Sequence, residues 1–256
     1  MIRHTFSILS GIGASKESKL WRDGVLTWDD FISSKSPAGI SGGTKSLHDA
    51  KLEEAQQRLL DKDAAYFQNA LANTEHWRLF DLFSQNAICM DIETNGLPAG
   101  AGGYITVVGL YDGVNYTSFV KGRNLSAKAV SAALSGCKCL VTFYGSVFDV
   151  PFLEKTIPRF KLQAPHFDLC FALRKLGIKG GLKRIEGRFG IAREDDLEGM
   201  DGYGAVLLWN RANRGDAKAL DTLIRYNRED TVNLWKIAHK TYEMLMDSTG
   251  IKEHLR

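Results

Sequence analysis

Three short acidic motifs stand in a fixed order along this chain of 256 residues. Asp91-Ile92-Glu93-Thr94 closes an apolar run, Phe148-Asp149-Val150-Pro151-Phe152-Leu153 lies inside a second, and Tyr226-Asn227-Arg228-Glu229-Asp230 falls on a helical stretch. Desolvating an unpaired carboxylate costs several kcal/mol or more, so acids embedded in apolar segments call for cations. Hard, oxygen-loving ions such as Mg²⁺ or Mn²⁺ are the natural partners. Two such ions side by side activate a water and stabilise a leaving oxygen in phosphodiester cleavage.

The spacing within each motif suits that chemistry. Residues two apart on a strand share a face, so Asp91 and Glu93 project together, and repel unless a cation lies between them. Pro151 suits the first turn of a helix, which puts Asp149 near its N-cap; a capping role and a metal role are compatible there. Tyr226 and Asp230 are four apart and share a helix face within residues 220–238. A tyrosine beside a metal-bound carboxylate orients water by hydrogen bonding; its ordinary pKa near 10 makes it a poor free base. Each motif alone is commonplace: a polar strand end, a capping aspartate, an amphipathic helix. A fifth acid, Asp168, is read as the cap of a helix starting at Leu169.

Taken together and in this order, the motifs resemble those of the DEDD exonucleases of the ribonuclease H-like superfamily, in the subgroup whose third motif uses tyrosine. Within it the chain is most similar to the YprB-like domains. Asp91 and Glu93 match the first motif, Asp149 the second, and Tyr226 with Asp230 the third. The segments at residues 166–169, 182–186 and 189–193 support that branch. The resemblance covers about residues 86–246. One departure stands at Tyr144-Gly145, where the family often has Asn-Gly. The resemblance implies a mixed five-stranded sheet flanked by helices, two Mg²⁺ or Mn²⁺ ions, and 3′-5′ hydrolysis of single-stranded DNA or RNA. It also implies that Asp91 bridges both ions, that Glu93 and Asp230 bind the ion that activates water, and that Asp149 supports the other. A non-catalytic nucleic-acid-binding module and a structure-specific endonuclease are the alternatives.

Substrate contacts are expected from Thr94, Tyr144 and Phe148, and from a basic segment. Between Arg159 and Arg193 nine basic side chains face two acids, an excess of seven charges in a chain of net charge +3. Lys175, Lys179, Lys183 and Arg184 are the candidates there for tracking phosphates. An acidic run, Glu194, Asp195, Asp196, Glu198 and Asp201, follows at once.

The elements that must position these groups are legible in outline. Apolar runs at residues 87–92, 104–111 and 115–120 read as an antiparallel meander, with a further strand at 139–143. Helical patterns cover 126–134, 149–155 and most of the chain from 168 to 246. Upstream, residues 34–45 form a Ser/Gly/Pro-rich loop. A long helix follows, with Ser46 as its cap, Leu60 on its apolar face and Asn73 marking its end. A second short helix is expected over 75–83. The division is a mainly helical N-terminal region, 1–83, and a catalytic α/β domain, 84–256. Residues 9–13, Leu9-Ser10-Gly11-Ile12-Gly13, resemble the phosphate-gripping turn of a helix-hairpin-helix. Lys16 and Lys19 fit that reading, and Glu17, where a small residue is expected, does not.

Composition is that of a globular protein, 44% hydrophobic and 25% charged. No run of 18 apolar residues occurs, so no membrane-spanning helix is expected, and Phe6-Ser7-Ile8-Leu9 near the start reads as too short for the core of a secretory signal. Cys89, Cys137, Cys139 and Cys170 lack zinc spacing and read as buried free thiols of a reduced, cytoplasmic protein.

Overall fold

The computed structural model describes residues 1–158, 160–197 and 199–255. Arg159 of the basic segment and Glu198 of the acidic run lie outside the described residues. The N-terminal region contains helices α1 (Ala14–Arg22), α2 (Trp28–Ser33), α3 (Gly42–Leu60), α4 (Ala64–Ala70) and α5 (Phe80–Phe83). Next come strands β1 (Ala87–Thr94), β2 (Ile105–Tyr111) and β3 (Tyr116–Val120), then α6 (Ala127–Leu134), β4 (Cys139–Thr142), α7 (Asp149–Thr156) and β5 (His166–Asp168). Helices α8 (Leu169–Lys175), α9 (Leu182–Arg188), α10 (Gly202–Ala212) and α11 (Ala217–Thr249) complete the chain.

The five strands form one mixed sheet in the order β3-β2-β1-β4-β5. The meander β1-β2-β3 is antiparallel, while β4 and β5 run parallel to β1. Asp112 closes the β2–β3 turn by accepting from the backbone N–H of Val114 and Asn115 at 2.9 and 2.7 Å. Short polar turns suffice for antiparallel neighbours; each parallel pair needs a helical crossover, here α6 and α7.

Both faces of the sheet are covered. Met90, Ile92, Val108, Leu110 and Leu140 pack under α6 and α7. On the other face Cys89, Cys139 and Val141 share a core with α8, α11 and the N-terminal helices. Trp28, Phe31, Phe67 and Phe80 are buried in that same core. Asp91 and Glu93, by alternation along β1, point to the side covered by α11. Asp216 caps the start of α11 and Gly250, at φ +78°, ends it.

The N-terminal helices differ from the sequence reading. Ser41, not Ser46, caps α3. The periodic stretch also breaks at Asp61-Lys62-Asp63, well before Asn73; Lys62 takes a left-handed φ of +51°, and Asp63 caps α4. Leu60, expected on the apolar face, is exposed. Residues 75–83 are a 3₁₀ turn, Asn73–Leu79, running into α5. Glu17 is buried, accepting from the N–H of Phe6 and Ser7 and pairing with Arg78 at 2.8 Å. The four cysteines are buried and free. No helix among the described residues is long and apolar enough to cross a membrane.

One glycine sets how closely α11 approaches the sheet. Gly109 lies opposite Asp91 in the β1–β2 ladder. A Cβ there would overlap Asn227 Oδ1 and Thr231 Oγ1 of α11. Gly109→Ala must therefore push the helix away, with an expected loss of about 1–3 kcal/mol. Chemical denaturation measures it; a variant as stable as wild type would show that the helix has room to spare.

Candidate metal centre and nucleic-acid cleft

The sheet carries Asp91 and Glu93 on one strand, and α11 brings Asp230 to them from above. A carboxylate oxygen from each of the three lies within 4.8 Å of the other two. Glu93 and Asp230 are buried and Asp91 is half-buried. They line an open cleft of about 640 Å³, together with Asp149 and Tyr226.

Asp149 belongs to the cleft but stands apart from the three-acid group. It is the first residue of α7, behind Phe148, and does not cap that helix. Its Oδ1 instead accepts from the backbone N–H of Ile92 at 3.0 Å, tying α7 to β1. Asp168 does cap α8, as expected, accepting from Cys170 N–H at 3.0 Å. Its carboxylate also takes the N–H groups of Tyr144 and Ser146, both at 2.9 Å.

Crowding of like charge shows in the proton affinities. Burial, then repulsion from Glu93, Asp230 and Asp149, pushes Asp91 well above the usual carboxylate range. Burial and Asp230 push Glu93 up to about 8. Burial pushes Asp149 up to about 7. Asp230 is also raised by burial, although Arg193 opposes the shift.

Three neighbours, none assigned to the acids from sequence, hold them in place. Asn227 donates from Nδ2 to Asp91 Oδ2 at 2.8 Å and reaches Glu93 Oε1 at 3.4 Å. Tyr116 fixes the orientation of that amide by donating to its Oδ1 at 2.8 Å. Arg193 bonds Asp230 from one side and, through two hydrogen bonds of 2.7 Å, the buried Glu186 from the other. Asn233 adds a third bond to Glu186 at 3.0 Å. Arg193, counted in sequence within the basic segment, is thus an internal counter-ion. The one sequence cue was Glu186, an acid alone among basic residues.

Tyr226 stays protonated: burial, then repulsion from Asp230, Glu93 and Asp91, drives its pKa far upward. Lys183 donates to its hydroxyl at 2.9 Å, leaving the phenol proton for a second partner. That contact separates Lys183 from the other candidate phosphate binders. Lys175 is held by Glu75 at 2.5 Å, whereas Lys179 and Arg184 are exposed. Thr94, Tyr144 and Phe148 line the cleft. So do Gly202, Tyr203 and Val206 of α10, for which the sequence offered no signal.

Residues 88–242 match the family described as the RNase_H superfamily. The chain belongs to that superfamily. No curated protein sequence matches it. Among solved structures it is similar to the family B DNA polymerase of the hyperthermophilic archaeon Pyrobaculum calidifontis. That match has 17% identity and a TM-score of 0.49, covering 60% of this chain and 24% of the polymerase. A second similar structure is described as the apo form of a nuclease, at 18% identity and a TM-score of 0.48, covering 68% of this chain and 79% of the other. This RNase_H-superfamily chain thus spans about a quarter of the polymerase.

The donor set of the acidic centre fits a hard divalent cation. It is all carboxylate oxygen, partly buried, and short of positive charge even with Arg193 beside it. Acids with raised folded-state pKa values stabilise the fold below their ordinary pKa, and that stability is lost as pH rises through the folded value. Without metal, thermal stability should therefore fall between the ordinary values of 3.8 to 4.5 and the raised values of about 7 to 8. Asp91→Asn should flatten that fall, and Mn²⁺ added at the alkaline end should raise the wild type's melting temperature. Melting curves in chelator across that range test this; identical pH profiles for the two proteins would rule out the crowding of charge.

Proposed function

We propose that the chain is a metal-dependent 3′-5′ exonuclease that hydrolyses single-stranded DNA or RNA. The observation that carries this reading is the convergence of Asp91, Glu93 and Asp230 in an open cleft that Tyr226 also lines, on an RNase_H-superfamily sheet. The 3′ polarity and the single-stranded substrate are what the resemblance of the three motifs to those of the DEDD exonucleases implies. Four buried free thiols fit a reducing, cytoplasmic setting.

Asp91, Glu93 and Asp230 would hold one Mg²⁺ or Mn²⁺, and Asp149, on the same cleft wall, would help hold a second. Bound there, such ions lower the pKa of water and offset charge on the phosphodiester. The chain's own groups do the rest. Asn227 and Arg193 fix the carboxylates before substrate arrives, so little reorganisation remains for the reaction itself. Tyr226, protonated and braced by Lys183, offers its O–H to orient the attacking water. Thr94 and Phe148 would position the terminal nucleotides, with Tyr144 at the lip of the cleft. Lys179 and Arg184 would meet phosphates further along the strand.

Digestion of end-labelled single strands and duplexes with Mg²⁺ or Mn²⁺ tests the reading. Stepwise loss of nucleotides from the 3′ end of single strands is expected, and internal cuts would mark an endonuclease instead. Asp91→Asn and Asp230→Asn should abolish cleavage; full activity in either would remove the metal model. Tyr226→Phe should lower turnover by roughly 10² to 10⁴ with metal affinity little changed. Lys179→Ala with Arg184→Ala should make the slope of log K against log salt shallower by about 1.4, if both residues meet phosphates of a single strand. An unchanged slope would assign these two residues to a solvated surface.

A further inference from the structure

A second hollow, of about 740 Å³, adjoins the catalytic cleft. One wall comes from the N-terminal region at Thr74 and His76, the other from Ser146, Phe171 and Arg174. The loop between β4 and α7 divides the two spaces: Tyr144 and Phe148 line the cleft, and Ser146 lines the hollow.

That loop holds an uncommon conformation. Tyr144 has φ +66°, in the left-handed region that side chains other than those of asparagine and aspartate rarely enter. Four hydrogen bonds enforce it. Asp168 accepts from Tyr144 N–H at 2.9 Å, from Ser146 N–H at 2.9 Å and from Ser146 Oγ at 2.6 Å. Gly145 N–H donates to Thr142 Oγ1 at 3.1 Å. The outcome of this strain is a tyrosine left 41% exposed, which contributes little to a core. Its ring stacks on Phe171 at 5.9 Å and 27°, and the Arg174 guanidinium lies over Phe171 at 5.2 Å. A Tyr–Phe–Arg series therefore runs from the lip of the cleft into the hollow. Backbone strain held in place by its surroundings, with an exposed aromatic as its product, is characteristic of ligand-binding loops.

We propose that this series is a track for single-stranded polynucleotide. Unpaired bases leading to the reacting end stack on the exposed face of Tyr144, which Phe171 backs, and Arg174 meets the accompanying phosphate. Every base has a π-face, so such a platform takes any sequence, and Arg adds a cation–π and phosphate contact. The acids nearby are already engaged: Asp168 by the loop, Glu154 by Lys161 at 3.3 Å, and Glu75 by Lys175 and Arg78. The proposal rests on the exonuclease reading for the direction in which the strand lies.

The test is fluorescence anisotropy in Mg²⁺ with labelled di-, tetra- and octanucleotides of thymidine and uridine, on protein carrying Asp91→Asn. In this parent, affinity should rise with length. Adding Phe171→Ala and Arg174→Ala should weaken octanucleotide binding at least about fivefold, the loss of one stacked base. Adding Tyr144→Asn should do likewise while the melting temperature holds or rises, because asparagine tolerates the left-handed backbone. That result separates lost stacking from lost folding. Unchanged octanucleotide affinity in both variants, or an equal gain with length for duplexes, would overturn the track. Wild-type digestion run in parallel keeps the two readings apart. Absent hydrolysis with length-dependent binding intact would remove the exonuclease and leave the track; hydrolysis with no effect of the variants would do the reverse.

Discussion

Mutual repulsion among Asp91, Glu93 and Asp230 is the constraint around which this molecule is arranged. Three carboxylates within 4.8 Å would separate in water. Here two of them are fixed on a central strand and the third on a 33-residue helix packed on the same sheet. The separation cannot relax without lifting α11 from the sheet, so the apolar contacts of Leu223, Leu234 and Ile237 hold the charges together. The absence of a side chain at Gly109 lets Asn227 reach between them.

The molecule relieves only part of that repulsion. Arg193 offsets one charge on Asp230, but Glu186 and Asn233 anchor it so that it acts as a fixed positive group. Asn227 contributes a dipole, not a charge. The remainder is stored as raised proton affinity, which makes the site receptive to a cation. Lys183 takes another course, bonding to the Tyr226 hydroxyl and bracing the protonated phenol.

A similar economy governs the loop after β4. Asp168 caps α8 and at the same time pins the backbone of Tyr144 and Ser146. One buried carboxylate thereby links the start of a helix to the conformation of a loop at the edge of the cleft. The N-terminal helices share a core with the sheet and form the far wall of the neighbouring hollow, so they shape the space a long substrate would meet.

Much of this was legible in the residues alone. Alternation along β1 put Asp91 and Glu93 on one face, and four-residue spacing paired Tyr226 with Asp230, because both patterns depend only on local backbone geometry. The strand meander and the cap at Asp168 were likewise local. The long N-terminal helix was misread because its seven-residue periodicity runs straight through a break made by Lys62 and the cap at Asp63. What only tertiary structure decided were contacts between residues far apart in sequence. Glu186 hinted at a partner for Arg193, but no local pattern said that the arginine would also reach Asp230, or that Asn227 would span two acids of another element. Nor could any such pattern show that Asp149 bonds a neighbouring strand and not its own helix, or that α10 supplies a wall of the cleft. Charge counting treats every basic side chain as solvated; burial, which depends on the whole fold, determines which ones are.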